Sequence, residues 1–253
     1  MKVATSTSKL ARLRIGCAGW SLPARQAAHF DAGASALERY ASRFSMVEIN
    51  SSFYRPHQAR TYARWAASVP DEFRFSVKIP RAISHDAALH SAGGPLDAFL
   101  DGVHCLEDKL GVLLLQLPPS LVYDGRVAAN FFRVLRRRSD CPLACEPRHP
   151  SWFTPAAEAM LRSQGVARVA ADPARAADGG MPGGTTDWNY WRWHGRPRVY
   201  YSQYQDQDLQ QLVERLDHAG GSRSWIVFDN TAHGHAVGDA LKLQALLGVG
   251  SDA

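Results

Sequence analysis

The feature that most constrains the fold of this chain is a series of apolar runs that each stop at charged or polar residues. Helical patterns fill most of the gaps, and successive runs begin roughly 22 to 38 residues apart, about one strand–helix unit. The eight runs cover residues 15–20, 46–54, 73–80, 111–119, 143–152, 166–172, 188–195 and 224–230. Apolar runs that alternate with helices predict parallel strands, and active sites gather where such strands end.

Eight strands with right-handed helical crossovers predict an α/β fold, a (β/α)8 TIM barrel. The sixth unit is irregular, because the 173–187 segment is too rich in glycine and proline for a stable helix. This segment is either a long connection or a mobile lid. A doubly wound open sheet is the alternative, but no GxGxxG follows an early strand. We expect a disordered lead-in at residues 1–13 and one barrel domain at 14–249.

Composition and charge restrict the function classes. The chain has 253 residues, 45% of them hydrophobic, which is enough for a sizeable core. Its net charge is +5, and the densest basic run, residues 136–138, is expected to close a helix that begins near Val127. The four cysteines form no CxxC pair, and the first residues lack the apolar stretch of a secretory signal. We therefore expect a cytoplasmic protein with reduced thiols and no membrane partner.

Six short motifs are each weak evidence alone, but their occurrence together and in one order is specific for a family. They are GCAGW at 16–20, VEINSSFYRP at 47–56, FSVKIPRAISH at 75–85, LLLQLPPS at 113–120, CEPRHPSW at 145–152 and RWHG at 192–195. From about Ile15 to Leu247 the chain resembles the DUF72 (YecE-like) family. The resemblance implies a TIM barrel and supplies no substrate, because the reaction of the family is not established. One departure is FDNT at 228–231, where the family more often has two asparagines and Asp229 adds a negative charge.

The second, third and fourth strands carry polar residues where a barrel interior would be apolar. Glu48 and Asn50 share one strand face because they are two residues apart. Glu48 is either held by an inward cation or acts as a general acid or base. Lys78 either neutralises Glu48 or binds a phosphate or carboxylate. His85 is a loop cap or a base, and Gln116 is a candidate orienting amide.

The densest group of ionisable residues lies at the end of the fifth strand. Glu146 and Arg148 point to the same side if the strand continues that far. They form either an internal ion pair or, with His149, a site for a polar ligand closed by Trp152.

Aromatic residues also fall at several strand ends. They either seal the top of the barrel or provide stacking surfaces for a sugar or a base. These residues are Trp20, Phe53, Tyr54 and Trp152.

The sixth to eighth strands end in Asp172, Arg192, His194 and Asn230. Arg192 and His194 are two residues apart, so one strand face presents both. Each of these groups either pairs with a local partner or contributes to a shared pocket. The expected cations of that pocket are Lys78, Arg148 and Arg192, which suit phosphate or carboxylate.

These residues predict an enzyme, a hydrolase or an isomerase, that binds a small anionic molecule at the carboxyl ends of the strands. The expected acid–base residues are Glu48, Glu146 and His194. The expected ligand-binding residues are Trp20, Asn50, Tyr54, Lys78, His85, Gln116, Arg148, His149, Trp152, Asp172, Arg192 and Asn230.

Other functions fit the same residues. Glu48, Glu146, Asp172 and His194 are oxygen and nitrogen ligands of the kind that barrel metalloenzymes use. We expect no required metal, because the nearby cations would repel one, and the sequence names no cofactor. A nucleic-acid-binding protein or phosphodiesterase is one alternative, by analogy of fold alone. A non-catalytic ligand-binding module is the other.

Overall fold

The computed structural model describes residues 13–249, which contain ten β-strands and seven α-helices. The strands are β1 (Leu13–Cys17), β2 (Met46–Ile49), β3 (Arg74–Lys78), β4 (Leu110–Gln116), β5 (Leu143–Glu146), β6 (Val166–Arg168), β7 (Ala170–Asp172), β8 (Gly183–Gly184), β9 (Asn189–Trp193) and β10 (Ser224–Phe228). Of the predicted lead-in, residues 1–12 lie outside the described residues, and Leu13 already belongs to β1.

Within residues 13–249, six α-helices lie between strands and a seventh follows the last strand, as the sequence pattern predicts. They are α1 (Ala36–Ala41), α2 (Ala59–Ala67), α3 (Gly93–Val103), α4 (Gly125–Arg136), α5 (Pro155–Ser163), α6 (Asp206–His218) and α7 (His235–Leu247). Shorter helical turns cover Ala24–His29, Ser51–Phe53, Ala82–Asp86, His104–Lys109, Pro150–Phe153 and Ala177–Gly180. No helix within residues 13–249 has the length and apolar character needed to cross a membrane.

The strands form two sheets in which all but one of the pairs are parallel. One sheet has the order β1-β10-β9-β7, and the other has the order β2-β3-β4-β5-β6-β8, with β6 and β8 antiparallel. One parallel bridge, between Ala18 and Glu48, links β1 to β2. The backbones approach closely there, since a Cβ on Gly16 would lie 2.2 Å from the carbonyl oxygen of Met46.

The α/β fold with parallel sheets is confirmed, whereas the hydrogen bonds of residues 13–249 show no closed eight-stranded barrel. The sixth predicted strand accounts for part of the difference. It is divided at Val169 into β6, which pairs with β5, and β7, which pairs with β9. The strand therefore changes partner along its length and belongs to both sheets.

The alternation of side chains along the strands produces two apolar layers. Residues such as Leu115 and Phe75 face the helices, where one stripe of α4 packs with Phe131, Phe132 and Leu135. The opposite faces of the two sheets meet in a second cluster. Its buried members are Met46, Val112, Leu114, Ala144, Ala167, Val169, Trp188, Tyr190, Trp225 and Val227. We call this second face the inner face.

Sequence signals at the helix ends match the structure, and the helix predicted to close at the basic run is confirmed. Thr154 caps α5 by accepting a hydrogen bond from the amide of Ala157, and Pro155 opens the helix. Helix α4 ends at Arg136, whose guanidinium donates to backbone oxygens. The 173–187 segment contains one short helical turn and β8 but no α-helix. Its role as a lid stays a prediction.

Candidate functional site

Polar side chains replace the apolar inner layer toward the carboxyl ends of the strands. Lys78, Gln116 and Glu146 are the last residues of β3, β4 and β5. Each lies two residues beyond a buried inner-face residue, so the strand period places its side chain on the same face. By the same period, Arg192 follows Tyr190 in β9, and Asp229 follows Val227 directly after β10.

Arg192 is the centre of this polar layer and is 0% exposed. Its Nε donates to Glu48 Oε2 at 3.0 Å, and its Nη2 donates to Glu48 Oε1 at 2.7 Å. Nη2 also donates to Asp229 Oδ2 at 2.9 Å, and Nη1 donates to Glu146 Oε2. One guanidinium therefore joins three carboxylates from three strand ends, and it takes the space between them in which a cation could otherwise bind.

His194 and Glu146 extend the network toward the carboxyl ends. The Nδ1 of His194 lies 3.0 Å from Asp229 Oδ2, and its Nε2 lies 3.1 Å from Glu146 Oε1. Glu146 also accepts hydrogen bonds from Gln116 Nε2 at 3.0 Å and from Arg148 Nε at 3.2 Å. Both ring nitrogens of His194 thus face carboxylate oxygens, an arrangement that suits the doubly protonated imidazolium.

A hydroxyl pair closes the network on its apolar side. The Tyr190 hydroxyl donates to Glu48 Oε2 at 2.8 Å and lies 2.7 Å from Ser76 Oγ. All three side chains are fully buried. Every oxygen of Glu48 is therefore bonded, which is the condition for burying a carboxylate at tolerable cost.

The contacts determine the protonation states in the network. Burial alone would raise the pKa of Glu146 and Asp229, but the charges of Arg192 and His194 outweigh it and hold both pKa values below their ordinary range. Burial opposes the charge of Arg192 and His194, yet the surrounding carboxylates raise the pKa of both. These contacts thus favour the charged forms of Glu146, Asp229, Arg192 and His194.

A cavity of about 390 Å³, which we call the strand-end cavity, opens above this network. Its walls are formed by Asn50, Phe53, Tyr54, Lys78, Arg81, His85, Gln116, Arg148, Tyr200, Asp229 and Thr231. A cavity of this size holds a small molecule.

Lys78 is the least constrained charged group of these walls. Its side chain is buried, 7% exposed, and its Nζ lies 4.2 Å from the ring centroid of Phe53. Within residues 13–249, Nζ makes no hydrogen bond or ion pair. Burial, followed by the positive charge of Arg192, lowers the pKa of Lys78 to about 8.

The structure brings ten of the predicted residues together at the cavity or in the network beneath it. They are Glu48, Asn50, Tyr54, Lys78, His85, Gln116, Glu146, Arg148, Arg192 and His194. The Nδ2 of Asn50 donates to Asp229 Oδ1 at 3.3 Å, and Asn50 Oδ1 is buried with no partner in the described residues. His85 packs edge-on against Phe53, and Tyr54 is 79% exposed at the rim.

Two predicted aromatic residues lie elsewhere. Trp152 is fully buried, and its Nε1 donates to the carbonyl oxygen of Leu121 at 3.0 Å. Trp20 packs edge-on against Trp65, with ring centroids 5.0 Å apart. The chain turns into a short helix after β5, so the strand pattern does not carry Trp152 to the cavity.

Three predicted polar residues also lie away from the cavity. His149 accepts a hydrogen bond from a backbone amide and caps the following short helix. Asp172 accepts a hydrogen bond from the Tyr204 hydroxyl at 2.9 Å. The Nδ2 of Asn230 donates to Asp239 Oδ2 at 2.7 Å. Each of these side chains has a local hydrogen-bond partner outside the cavity.

Arg192 requires a different correction. The sequence predicts that it holds an anionic ligand, but all three of its nitrogens donate to carboxylates and none of its surface is exposed. The alternative reading, a cation paired with local carboxylates, describes its position. The cations that remain at the cavity are Lys78, Arg148 and Arg81.

Several cavity residues were not among the predicted site residues. Asp229 could have been found from the strand period, since it lies two residues beyond Val227. The sequence identified Phe53 as an aromatic residue at a strand end but not as a ligand-binding residue. Arg81 and Tyr200 come from loops, where no periodic signal shows the direction of a side chain.

Sequence comparisons give the relatives of the chain. The family model described as "Protein of unknown function DUF72" matches residues 14–253. The UPF0759 protein YecE of Escherichia coli K12 is 32% identical over 146 residues, 55% of this chain and 53% of that protein. The chain therefore matches about half the length of this relative. The UPF0759 protein YunF of Bacillus subtilis is 24% identical over 244 residues, 84% of this chain and 86% of that protein.

Solved structures share the fold. A DUF72 family protein from Enterococcus faecalis superposes with a TM-score of 0.79 at 22% identity and covers 95% of this chain and 97% of its own. Another DUF72 family protein, from Thermotoga maritima, superposes with a TM-score of 0.77 at 24% identity and covers 93% of this chain and 99% of its own. The protein named SacUVDE superposes with a TM-score of 0.57 at 10% identity and covers 94% of this chain and 98% of its own.

Proposed function

The chain belongs to the DUF72 family of proteins of unknown function, and we propose that it is an enzyme that binds a small anionic molecule in the strand-end cavity. One observation carries the proposal: the Lys78 ammonium lines a cavity over an ion network whose charges balance once Arg148, at the same cavity wall, is counted. A ligand with a carboxylate or phosphate group fits this surplus of positive charge.

The balance of charge supports an anion rather than a cation as the ligand. In the network, the carboxylates of Glu48, Glu146 and Asp229 face the cations Arg192 and His194. Arg148 supplies a third positive charge through its contact with Glu146. The positive charge of Lys78 then has no negative counterpart among these groups.

Arg148 and Asp229 are the groups that we assign to binding and proton transfer. The Nη2 of Arg148 donates to the Tyr200 hydroxyl at 3.2 Å, so its guanidinium is held at the cavity wall with further N–H groups for a ligand. Asp229 is ionised, lines the cavity and contacts His194, so it can accept a proton from a bound molecule. Glu48 and Glu146 lie in the network beneath the cavity, where their ion pairs hold Arg192 and His194 in position.

We infer that the two sheets are parts of one (β/α)8 barrel. The Ala18–Glu48 bridge and the close approach of β1 to β2 at Gly16 support closure on one side. On the other side, closure is supported by the strand that is divided at Val169, because its two parts pair with different sheets. A crystal structure with continuous pairing of β1 to β2 would agree, and a gap filled by side chains between these strands would oppose it.

Binding of inorganic phosphate, measured by isothermal titration calorimetry, tests the proposed function. We expect Lys78→Met and Arg148→Met each to weaken phosphate binding by about tenfold or more, equivalent to about 1.4 kcal/mol. The control is Arg133→Met, which removes an exposed cation from α4. Thermal unfolding of each variant shows whether it is folded. Equal affinity in all four proteins, or no phosphate binding by the unaltered protein, would contradict the proposal.

A further inference from the structure

Lys78 differs from the other lysines in residues 13–249 in that no hydrogen bond or ion pair holds its amine. The Nζ of Lys109 donates to the carbonyl oxygens of Ala66 and Val69 at 2.8 and 2.6 Å. Lys242 pairs with an aspartate on α6. A buried amine usually needs such partners, so an unpaired one at a cavity wall suggests a group that reacts or binds there.

The surroundings of Lys78 make the neutral amine easier to reach than in an exposed lysine. The methylene chain is buried on the inner face, and Nζ lies over the face of the Phe53 ring, which attracts a cation but offers no carboxylate or carbonyl acceptor. The charged or titratable groups around it are Glu48, Arg81, His85, Glu146, Arg148, Arg192, His194 and Asp229. Burial and Arg192 prevail in this balance and lower the pKa of Lys78 to about 8. Burial and a neighbouring cation are the two devices that make a lysine nucleophilic near neutral pH.

We propose that Lys78 forms a Schiff base with a small anionic aldehyde or ketone, whose carboxylate or phosphate group is held by Arg148 at the same cavity wall. This inference rests on the proposed function, because it requires the anionic molecule to occupy the strand-end cavity. It adds the substrate class, an anionic carbonyl compound, and assigns to Lys78 a covalent role.

The chemical step needs no oxidant or reductant. The neutral amine of Lys78 attacks the carbonyl carbon, a C–N bond forms, and the carbonyl π electrons move to oxygen, which takes up a proton. Nitrogen loses one proton, and the C–O bond then breaks as the oxygen leaves with a second proton as water, which gives an iminium ion. The iminium nitrogen then loses its remaining proton, so two protons pass in total from nitrogen to oxygen. The product is a C=N bond to Nζ, so an aldehyde or ketone and an amine yield an imine and one water.

Asp229 is positioned to move these protons. Its carboxylate lines the same cavity, and its charge acts directly on Lys78. Behind it, His194 Nδ1 lies 3.0 Å from Oδ2 and holds the carboxylate in place. Asp229 thus takes the proton that nitrogen loses and returns it to the departing oxygen.

Reductive trapping tests the inference. The unaltered protein is incubated with pyruvate, glyoxylate or dihydroxyacetone phosphate, treated with sodium borohydride, and examined by intact-protein and peptide mass spectrometry. We expect one reduced adduct, located on Lys78, whose yield increases as the pH is raised through about 8. Lys78→Arg keeps the positive charge and removes the nucleophile, so it should lose the adduct. Lys242→Arg, the control, should form it as the unaltered protein does.

The outcomes separate the two proposals. If phosphate binding depends on Arg148 but none of the three compounds is trapped on Lys78, the Schiff base is refuted and the anion site stands. If phosphate does not bind and no adduct forms, both fail. Adducts distributed over Lys109 and Lys242 as well would show unselective labelling and would also overturn the role of Lys78.

Discussion

At the scale of single residues, Arg192 determines the character of the site. Taking a charge out of water costs several kcal/mol, and good pairing geometry is needed to offset that cost. Arg192 meets this condition with hydrogen bonds to Glu48, Glu146 and Asp229, and no part of it reaches the cavity. It is therefore a positioning residue that holds the three carboxylates in place.

Replacing Arg192 by methionine should strongly destabilise the protein. The substitution leaves three buried carboxylates without their shared cation, and breaking a buried pair in this way costs about 3–5 kcal/mol of unfolding free energy. Chemical denaturation of Arg192→Met measures the loss. The control Arg133→Met should stay within about 0.5 kcal/mol of the unaltered protein. An Arg192→Met protein as stable as the control would show that the network contributes nothing to stability.

At the scale of elements, the strand period accounts for the residues that the sequence placed correctly. Glu48, Lys78, Glu146 and Arg192 interrupt apolar strands, and each lies on the inner face because its neighbours two residues away do. Helical patterns indicate most of the helices, and the glycine and proline content of residues 173–187 indicates the irregular sixth unit. The strand period could not show that β6 and β7 belong to different sheets, because the change of partner leaves the apolar run unbroken.

Beyond a strand end the period holds for one or two residues, as Arg148 shows by its contact with Glu146, and it does not reach further. Strand β5 ends at Glu146, so alternation does not apply to His149 or Trp152. The chain coils there into a short helix, and Trp152 faces the helical layer. Tyr200 lies in a loop after β9 and adopts a φ of 70°, a backbone conformation that no local sequence pattern announces.

Replacing Trp152 should therefore affect stability and not ligand binding. Trp152→Ala removes a fully buried side chain and its hydrogen bond to the Leu121 carbonyl oxygen, and such truncations cost about 3–5 kcal/mol. We expect a lower denaturation midpoint together with unchanged phosphate affinity at a temperature where the variant is folded. Weakened phosphate binding in the folded variant would place Trp152 in the ligand site after all.

At the scale of the whole molecule, the ion network connects the two sheets. Arg192 and His194 extend from β9 and the residue that follows it, in the sheet that contains β1. Glu48 and Glu146 belong to the other sheet. The pairs between them join the two inner faces where the apolar layer ends, so protonation of the network alters the contact between the sheets.

The ion network should consequently make the stability of the protein depend on pH in two windows. The folded-state pKa values of Glu146 and Asp229 lie below their ordinary 4.5 and 3.8, so their contribution is present above those values and lost as the pH falls through the folded-state pKa values. The folded-state pKa of His194 lies above 6.5, so its contribution is present below 6.5 and lost as the pH rises through the raised pKa. Thermal unfolding across this pH range measures both losses.

His194→Gln separates the two windows. The variant lacks the imidazole, so the loss of stability above pH 6.5 should diminish, whereas the acid loss that depends on Glu146 should persist. A variant whose alkaline loss matches that of the unaltered protein would assign that loss to another group.

The shared guanidinium also restricts how this site can change by mutation. Replacing Glu48, Glu146 or Asp229 by an apolar residue leaves part of the Arg192 guanidinium unpaired. Replacing Arg192 leaves all three carboxylates without their shared cation. Contacting residues of this kind have non-additive effects, so a second exchange can recover what the first one lost. Evolutionary drift at these positions is accordingly expected to proceed by compensated pairs. Anyone transplanting the site into another scaffold would have to move the four residues as one unit.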